Sequence, residues 1–421
     1  MKYTKKKLSN GLRVITVPMK ESQTAIMMVL VETGAEYEDR ATNGLSHFLE
    51  HMCFKGTKNR TLDQIATELD SMGAENNAFT GETYTGYFAK AEHSKIKKII
   101  DIISDLYINP TFPEKDIDIE RGVILEEMNM YEDLHMRKVF DLYNELLFGD
   151  QPAGRTIIGT KENIKKFSRD DFVKYYQTHY IPQKTTVVVA GKIKEGEIWK
   201  EIKKKFGNLK KQKIIKKPKT NFSQNKPEIK IKYRDIDQTH MIVGFRSFDL
   251  YDKRNPALSL ASTILSGGMS SRLFKKMRDE LGLCYYVKSS NSASVDHGNF
   301  YVRIGVGNHR AVEAISVLMQ EFKKIRDEKI TDIEFQKAKD IVVGAFANGL
   351  ETSDSWAMYY GDQELFHQKI QTPEQYIKKI NALTPQKVQK VLKEIFKKEN
   401  LNLAIIGPQK DYTVFEEVLK I

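Results

Sequence analysis

The hydrophobic and polar positions follow two periods along the chain, the two-residue period of strands and the 3.6-residue period of helices. In the first half, strand patterns cover 11–18, 24–33, 84–91 and 184–191, and helix patterns cover 43–56, 61–72, 93–108, 114–147 and 195–206. In the second half, strand patterns cover 228–234, 239–248, 284–305 and 401–406, and helix patterns cover 255–266, 270–281, 309–327, 331–350, 354–367, 373–382 and 385–397. Long helices beside hairpin-like strand pairs predict an α+β fold with mainly antiparallel sheets.

A stretch without either period lies near the midpoint of the chain. Residues 208–228, "NLKKQKIIKKPKTNFSQNKPE", are polar and basic and include two prolines. This composition predicts a linker at 211–227 between a domain of residues 1–210 and a domain of residues 228–421.

A linker at the midpoint suggests an internal duplication. The apolar segment "AIMMVLVETG" (25–34) has a counterpart in "HMIVGFRSFD" (240–249), and a helical pattern follows each of them. Sparse identities accompany the pattern, since Tyr37 and Arg40 recur as Tyr251 and Arg254. We therefore expect two homologous domains, each a sheet with helices packed on it.

Composition indicates a soluble, globular protein. Hydrophobic residues make up 40% and aromatic residues 10% of the 421 residues, enough for well-packed cores. The longest apolar runs, such as "IMMVLV" (26–31), are far shorter than the roughly 20 residues that span a bilayer. The first residues predict a strand, an Asn-Gly turn and a second strand instead of a targeting segment. The two cysteines lie far apart in sequence, which favours a reducing compartment. Together with the short apolar runs, this predicts a cytoplasmic protein without membrane association.

The net charge of +11 has two interpretations, an acidic partner such as nucleic acid or a lysine-rich solvated surface. The lysines are scattered or form plain runs without interleaved aromatic residues. No groove-reading motif accompanies them. We therefore predict no nucleic-acid partner and keep a basic nucleic-acid-binding protein only as a rival, which a salt titration of RNA binding would reveal.

The segment "GLSHFLEHMCFKGT" (44–57) concentrates candidate chemistry. His47 and His51 are four residues apart, so on a helix their imidazoles project the same way and can bind one zinc ion. Glu50 lies one residue before the second histidine, where it can take a proton from water, as in the inverted zincin motif H-x-x-E-H. Two surface histidines beside a helix-stabilising glutamate are the alternative. We expect Thr42 or Asn43 to cap this helix.

The motif needs a third ligand on another element. In "DIDIERGVILEEMNMYED" (116–133), Glu120 and Glu127 are seven residues apart and share a helix face. Each of them is a candidate ligand, and each is also compatible with a solvated acidic face. Cys53 is a further soft donor, although a residue two positions after His51 points away from the histidines.

The chain resembles the pitrilysin-type (M16) zinc peptidases, the family of the mitochondrial processing peptidase β-subunit and its bacterial relatives. "ERGVILEEM" (120–128) is similar to the family's second motif, whose ligand glutamate follows the second histidine by seventy-six residues, the spacing from His51 to Glu127. The resemblance implies that His47, His51 and Glu127 bind one zinc ion per chain, that Glu120 orients a ligand histidine, and that Glu50 is the general base.

Further segments extend this resemblance to nearly the whole chain. "GAENNAFTGETYTGYFA" (73–89) resembles the family's substrate-binding edge strand, which implies that Asn77 and Ala78 bind the peptide. "GGMSSRLFKKMRDELGLCYYV" (267–287) resembles the segment of the family's Arg–Tyr pair, which implies that Arg278 and Tyr285 contact the substrate carbonyl.

The resemblance implies a zinc endopeptidase that cleaves short or unfolded peptides within a two-chain clamshell. The partner is expected to be a second copy of the chain or, alternatively, a homologous subunit. The family's acidic residues ten and fourteen positions after the ligand glutamate are here Arg137 and Asp141, so a preference for basic presequences is not expected. A non-catalytic structural subunit is the remaining rival interpretation.

Overall fold

The computed structural model describes residues 1–421 and contains two mixed sheets. The strands of the first sheet are β1 (Thr4–Lys7), β2 (Arg13–Pro18), β3 (Thr24–Val31), β4 (Glu75–Thr80), β5 (Thr85–Glu92) and β6 (Thr185–Gly191), in the order β1-β2-β6-β3-β5-β4. Those of the second are β7 (Glu228–Tyr233), β8 (Gln238–Ser247), β9 (Cys284–Ala293), β10 (Gly298–Gly307) and β11 (Leu401–Gly407), in the order β7-β11-β8-β10-β9.

The two sheets repeat one topology, since β2-β6-β3-β5-β4 corresponds strand for strand to β7-β11-β8-β10-β9. Only β2 with β6 and β7 with β11 are parallel pairs, and the other pairs are antiparallel. The predicted α+β class with two similar, mainly antiparallel sheets is therefore confirmed.

Fifteen α-helices accompany the strands: α1 (Leu45–Cys53), α2 (Leu62–Asp70), α3 (Ile96–Ile108), α4 (Glu114–Asp133), α5 (His135–Phe148), α6 (Lys161–Lys166), α7 (Arg169–His179), α8 (Glu195–Phe206), α9 (Asn255–Ser266), α10 (Ala311–Asp327), α11 (Asp332–Gly349), α12 (Ser353–Leu365), α13 (Pro373–Asn381), α14 (Pro385–Ile395) and α15 (Thr413–Val418). No helix combines the length and the apolarity that crossing a membrane requires.

Several element boundaries differ from the sequence prediction. The predicted helix 114–147 is two helices that break at Leu134, and the predicted strand 284–305 is the hairpin of β9 and β10. The predicted helix 270–281 contains a π-helical segment, Phe274–Glu280. Helices α6, α7 and α15 were not predicted.

The chain forms two compact units that are discontinuous in sequence. Unit 1 comprises 1–129, 155–218 and 348–372, and unit 2 comprises 130–154, 219–347 and 373–421. Relative to the predicted boundaries at 1–210, 211–227 and 228–421, each unit takes in a segment from the other half of the chain. Residues 209–227 form neither helix nor strand.

The central strands of each sheet, β3 and β6 in unit 1 and β8 and β11 in unit 2, are buried on both faces, and the exchanged segment covers one of these faces. In unit 1, α1 and α3 pack on one face, while Trp356, Ala357 and Tyr360 of α12 pack on the other. In unit 2, Val139 and Leu142 of α5 cover one face of the second sheet in the same way. The strands therefore carry apolar side chains at successive positions, as expected for a sheet buried on both sides.

Candidate metal centre

Helix α1 owes its first turn to a buried carboxylate. The backbone N–H groups of Gly44 and Ser46 donate to Glu38 Oε2 and Oε1 at 2.8 and 2.6 Å. The expectation that Thr42 or Asn43 caps the helix is wrong, because Thr42 bonds to Asp39 and Asn43 donates to Glu38. Burial raises the pKa of Glu38 to about 7, although these hydrogen bonds oppose the shift.

His47, His51 and Glu127 come together between α1 and α4. The ligand atoms of the three side chains all lie within 4.8 Å of one another. Glu127 Oε2 is 3.7 Å from His47 Nε2 and 3.9 Å from His51 Nε2. The imidazole centroids are 4.8 Å apart, as their spacing of one helical turn predicts.

This arrangement fits a tetrahedral metal ion better than it fits hydrogen bonding. Bonds of about 2.0–2.2 Å from zinc to nitrogen and oxygen place neighbouring ligand atoms roughly 3.4 Å apart. Glu127 Oε2 is buried and has no hydrogen-bond partner, although a buried carboxylate oxygen normally has one. Two nitrogens and one oxygen donor suit zinc among the common metals.

Glu120 fixes the orientation of His51 from the side opposite Glu127. Its Oε2 lies 3.0 Å from His51 Nδ1, and its Oε1 pairs with Lys55. The hydrogen bond to His51, followed by the Lys55 contact, lowers the pKa of Glu120 despite partial burial. A carboxylate that accepts a hydrogen bond from Nδ1–H fixes the tautomer in which the Nε2 lone pair faces a metal.

Glu50 lies next to this group but does not join it. Thr80 Oγ1 donates to Glu50 Oε2 at 2.5 Å, which leaves the other carboxylate oxygen of Glu50 without this constraint. Burial raises the pKa of Glu50, whereas the Thr80 hydrogen bond and the charge of His51 act in the opposite direction. A bound dication would favour the ionised carboxylate, since it is the largest charge in such a site.

Cys53 is not part of the cluster. Its thiol is fully buried in the core and accepts a hydrogen bond from Tyr87 at 3.5 Å. Burial raises the pKa of this thiol to about 12, so it is a poor source of the thiolate that binds metals.

Strand β4 brings Asn77 and Ala78 to an open edge of the first sheet, because it pairs only with β5. The side chain of Asn77 is exposed, and its Oδ1 accepts the Ala78 N–H at 2.9 Å. The strand ends at Thr80, the residue that holds Glu50. One edge strand therefore carries both predicted substrate contacts and the Glu50 partner.

In unit 2, Arg278 and Tyr285 lie beside each other. The Arg278 guanidinium carbon is 5.8 Å from the centroid of the Tyr285 ring, and both side chains are exposed, Tyr285 to 75%.

The two residues at the family's acidic positions, Arg137 and Asp141, both have partners nearby. The Arg137 guanidinium carbon lies 3.8 Å from the centroid of the Tyr131 ring, and Lys138 Nζ lies 3.1 Å from Asp141 Oδ2. Asp141 already has a cationic partner within its own unit.

Sequence reasoning did not identify Glu38, Lys55 and Thr80. Glu38 lies six residues before the first N–H that it accepts, outside the usual capping spacing. Lys55 lies four residues after His51, just past the end of α1, so its contact with Glu120 follows once Glu120 is placed. Thr80 gave the clearest signal, because it lies within "GAENNAFTGETYTGYFA" (73–89), the segment that resembles a substrate-binding strand.

Models of one peptidase family match both halves of the chain. The family model described as insulinase (peptidase family M16) matches residues 13–161, and the one described as peptidase M16 inactive domain matches residues 166–342. The "uncharacterized zinc protease YmxG" of Bacillus subtilis is 31% identical over 400 residues, covering 95% of this chain and 97% of the relative. An "uncharacterized zinc protease" of Rickettsia bellii is 32% identical over 405 residues, covering 96% and 97%.

Two solved structures share the fold. A protease from Helicobacter pylori superposes with a TM-score of 0.91 at 23% identity, over 97% of this chain and 99% of that one. A structure described as the peptidase M16 inactive domain from Pseudomonas fluorescens gives 0.88 at 16% identity, over 97% and 98%.

Proposed function

Because the chain belongs to the insulinase family of peptidases, M16, we propose that it is a zinc-dependent endopeptidase that cleaves short or unfolded peptides. The observation that carries this proposal is the convergence of His47, His51 and Glu127 around a buried carboxylate oxygen without a hydrogen-bond partner. Glu50, positioned by Thr80, stands beside them.

His47, His51 and Glu127 would hold one zinc ion per chain, and three protein ligands leave a coordination position open for catalysis. When bound, the ion supplies a Lewis acid that acidifies water and polarises a carbonyl group. Glu120 keeps the His51 ring in the tautomer and orientation that ligation needs. Lys55 in turn holds the Glu120 carboxylate.

Glu50 is the proposed general base and acid. Its carboxylate takes a proton from the attacking water and later delivers that proton to the leaving amine. Thr80 positions it, since the Thr80 hydroxyl donates to one carboxylate oxygen and leaves the other available to the attacking water. Burial raises the pKa of Glu50 in the metal-free chain, whereas a bound dication would favour the ionised carboxylate that accepts the proton.

The peptide is proposed to add as a strand along β4. An open edge strand offers backbone N–H and C=O groups to an extended chain. The Ala78 N–H, which now donates to Asn77 Oδ1, would donate to a substrate carbonyl instead. Recognition by main-chain hydrogen bonds depends little on side chains, so we expect loose sequence preference.

Arg278 and Tyr285 are proposed to bind the substrate carbonyl and stabilise its developing negative charge. We further propose that they act on the metal centre of a second subunit, as the family resemblance implies. A homodimer is self-sufficient, because this chain carries both the metal cluster and the Arg–Tyr pair. A heterodimer with a homologous subunit is the alternative.

A mixing experiment tests this partnership. Glu50→Gln chains and Arg278→Ala chains are each inactive alone, but a mixed dimer combines the intact Glu50 of one chain with the intact Arg278 of the other. Random assortment predicts recovery of about a quarter of wild-type activity in an equal mixture. No recovery, from variants that both dimerise, would contradict the shared site.

The peptidase function itself is tested with Glu50→Gln. This variant should retain bound zinc while peptide hydrolysis falls by about 10²–10⁴-fold, the contribution of a general base. The matched control is Glu126→Gln, which changes an exposed carboxylate next to the ligand Glu127. A Glu50→Gln protein that cleaves at the wild-type rate would remove Glu50 from this role.

A cytoplasmic location is also proposed. Both cysteines, Cys53 and Cys284, are free and buried, as is usual in a reducing compartment.

A further inference from the structure

One side of the second sheet, formed by β8, β10 and the edge strand β9, carries cations without any carboxylate. Strands β8, β9 and β10, "QTHMIVGFRS", "CYYVKSSNSA" and "GNFYVRIGVG", are each 10 residues long and contain no Asp or Glu. Arg303 and Lys288 are direct cross-strand partners, so their side chains share one face of the sheet. Like charges directly opposite each other are destabilising, and these three strands supply no counter-ion.

Arg303 is half-buried and lacks both an ion pair and a hydrogen bond. Its guanidinium carbon lies 5.7 Å from the Phe140 ring centroid and 6.0 Å from that of Tyr286. Aromatic faces stabilise a cation but occupy none of its N–H donors. Charged side chains are rarely removed from solvent unless they are paired, and the N–H donors of the half-buried Arg303 have no protein partner and are available to a ligand.

Helix α5, which packs on this face, does not supply the missing carboxylate either. It contains two acidic residues, and lysines of the same unit already hold both. Asp141 pairs with Lys138 at 3.1 Å and Glu145 with Lys230 at 2.6 Å. Glu132, just before α5, pairs with the lysines at 138 and 232. These three carboxylates therefore do not neutralise the positive charge of Arg303.

Polar aromatic groups border the same position. The Tyr286 ring lies across Gly305, where a Cβ would come within 2.3 Å of it. This placement brings the Tyr286 hydroxyl to 3.0 Å from His240 Nδ1. The His135 ring lies 6.4 Å from that of His240, and His135 Nδ1 is buried without a hydrogen-bond partner. These groups add hydrogen-bonding capacity beside the guanidinium.

We propose that Arg303 and Lys288, bordered by Tyr286, His240 and His135, form a binding site for a carboxylate group of a peptide. Guanidinium and ammonium groups on one face are suited to an oxyanion. The rings of Phe140 and Tyr286 offer apolar surface to the residues next to that carboxylate. The choice of a peptide as the bearer of the carboxylate rests on the proposed peptidase function.

Binding, and not cleavage, provides the test. The full-length, zinc-loaded Glu50→Gln chain is titrated against a fluorescein-labelled decapeptide with a C-terminal Glu and a free carboxyl end. The comparison peptide has Gln in that position and an amidated end. Fluorescence anisotropy should show that the acidic peptide binds about tenfold more tightly, the gain typical of charge-assisted hydrogen bonds.

Variants in the same background locate the effect. Arg303→Met and Lys288→Met should each abolish most of the tenfold preference and leave binding of the neutral peptide unchanged. Lys253→Met removes an equal charge from an exposed position in the same unit and should preserve the preference. Lys288 is exposed, so its variant tests the site even if Arg303→Met does not fold.

If the Glu50→Gln chain with Arg303 and Lys288 intact binds the two peptides equally, the proposal is overturned. It is also overturned if the preference for the acidic peptide survives both Arg303→Met and Lys288→Met. Hydrolysis of the neutral peptide by the wild-type chain is measured in parallel. Failure of that hydrolysis contradicts the peptidase function alone, because the binding comparison uses a variant designed not to cleave.

Discussion

At the scale of single residues, His51 is the most constrained side chain of the metal centre, because both of its ring nitrogens face carboxylates. Nδ1 lies 3.0 Å from Glu120 Oε2, and Nε2 lies 3.9 Å from Glu127 Oε2. The first distance is a hydrogen bond and the second is not. This difference separates an orienting residue from a ligand.

We expect Glu120→Gln to weaken zinc binding by about 10- to 100-fold, the usual effect of losing the partner of a ligand histidine. A neutral amide holds the Nδ1–H less strongly and no longer pairs with Lys55. Competition with a fluorescent chelator measures the affinity. The control Asp118→Asn alters a side chain on the same helix that is 82% exposed; if both variants bind zinc like the wild type, Glu120 has no such role.

His179 predicts a pH dependence of stability that is independent of the metal. Burial, then the charge of Lys184, lowers the pKa of His179 from 6.5 to about 4. Between these values the unfolded chain binds a proton that the folded chain excludes. The free energy of unfolding should therefore fall by about 3 kcal/mol as the pH drops from 6.5 to 4, and be unaffected by this group above pH 7.

Denaturant unfolding of the wild type and of His179→Phe at each pH measures this contribution, because other titrating groups cancel in the difference. The stability difference between the two proteins should change in favour of the variant as the pH falls. A difference that is constant with pH would show that His179 is not buried in its neutral form.

Sequence reasoning at this scale reached the histidine pair but not the whole site. The spacing of His47 and His51 predicts a shared face. Glu120 and Glu127 share a face equally well, so spacing alone cannot choose between them, and only the family resemblance pointed to Glu127. The contacts of Lys55 with Glu120 and of Thr80 with Glu50 join segments that are distant in sequence. No local sequence pattern predicts such contacts.

At the scale of secondary structure, the start of α1 determines whether His47 and His51 lie on one helix face. Gly44 precedes the helix at φ +101°, and a Cβ there would lie 2.8 Å from the Ile158 carbonyl oxygen. Only glycine adopts this backbone conformation without strain. The carboxylate of Glu38 then accepts the first free N–H groups.

Two glycine substitutions of opposite sign test this account. Gly44→Ala should lower the free energy of unfolding by at least about 1–2 kcal/mol, the cost of a left-handed conformation for an L-residue, and should weaken zinc binding. Gly122→Ala lies inside α4, with open space around the added methyl group. This variant should raise the free energy of unfolding by up to about 1 kcal/mol. Thermal or urea unfolding measures the stability of both variants. If Gly44→Ala and Gly122→Ala change the free energy of unfolding equally, Gly44 has no special role at the start of α1.

Helix and strand patterns predicted most elements and failed at breaks within a continuous pattern. The apolar positions continue from α4 into α5 without Gly or Pro, so the break at Leu134 leaves no local signal. The turn between β9 and β10 does contain Ser294 and Asp296, and Gly298 begins β10; these turn-favouring residues could have divided the predicted strand.

At the scale of the whole molecule, the exchange of segments between the two halves of the chain is the principal structural feature. Residues 348–372 belong to the same compact unit as residues 1–129. Trp356 and Tyr360 bury one face of the first sheet against residues such as Ile15 and Leu30. Sequence predicted the duplication but not the exchange, because amphipathic helices do not specify which apolar face they cover.

A fragment of residues 1–210 should therefore not fold as a stable monomer. Without α12, the apolar face formed by Ile15, Ile26, Leu30 and Val188 is exposed, and exposed faces of this kind lead to association. Size-exclusion chromatography and dye binding should detect aggregates or a loosely packed state. Co-expression with residues 211–421 is the control and should restore the compact unit; a monomeric fragment with cooperative unfolding would contradict the prediction.

The central claim, that His47, His51 and Glu127 hold one zinc ion, is tested most directly by an anomalous difference map at the zinc edge from a crystal of the zinc-loaded protein. The account predicts one peak per chain, about 2.0–2.2 Å from His47 Nε2, His51 Nε2 and a Glu127 oxygen. A map with no peak among these three side chains, or with its only peak at other residues, would contradict it.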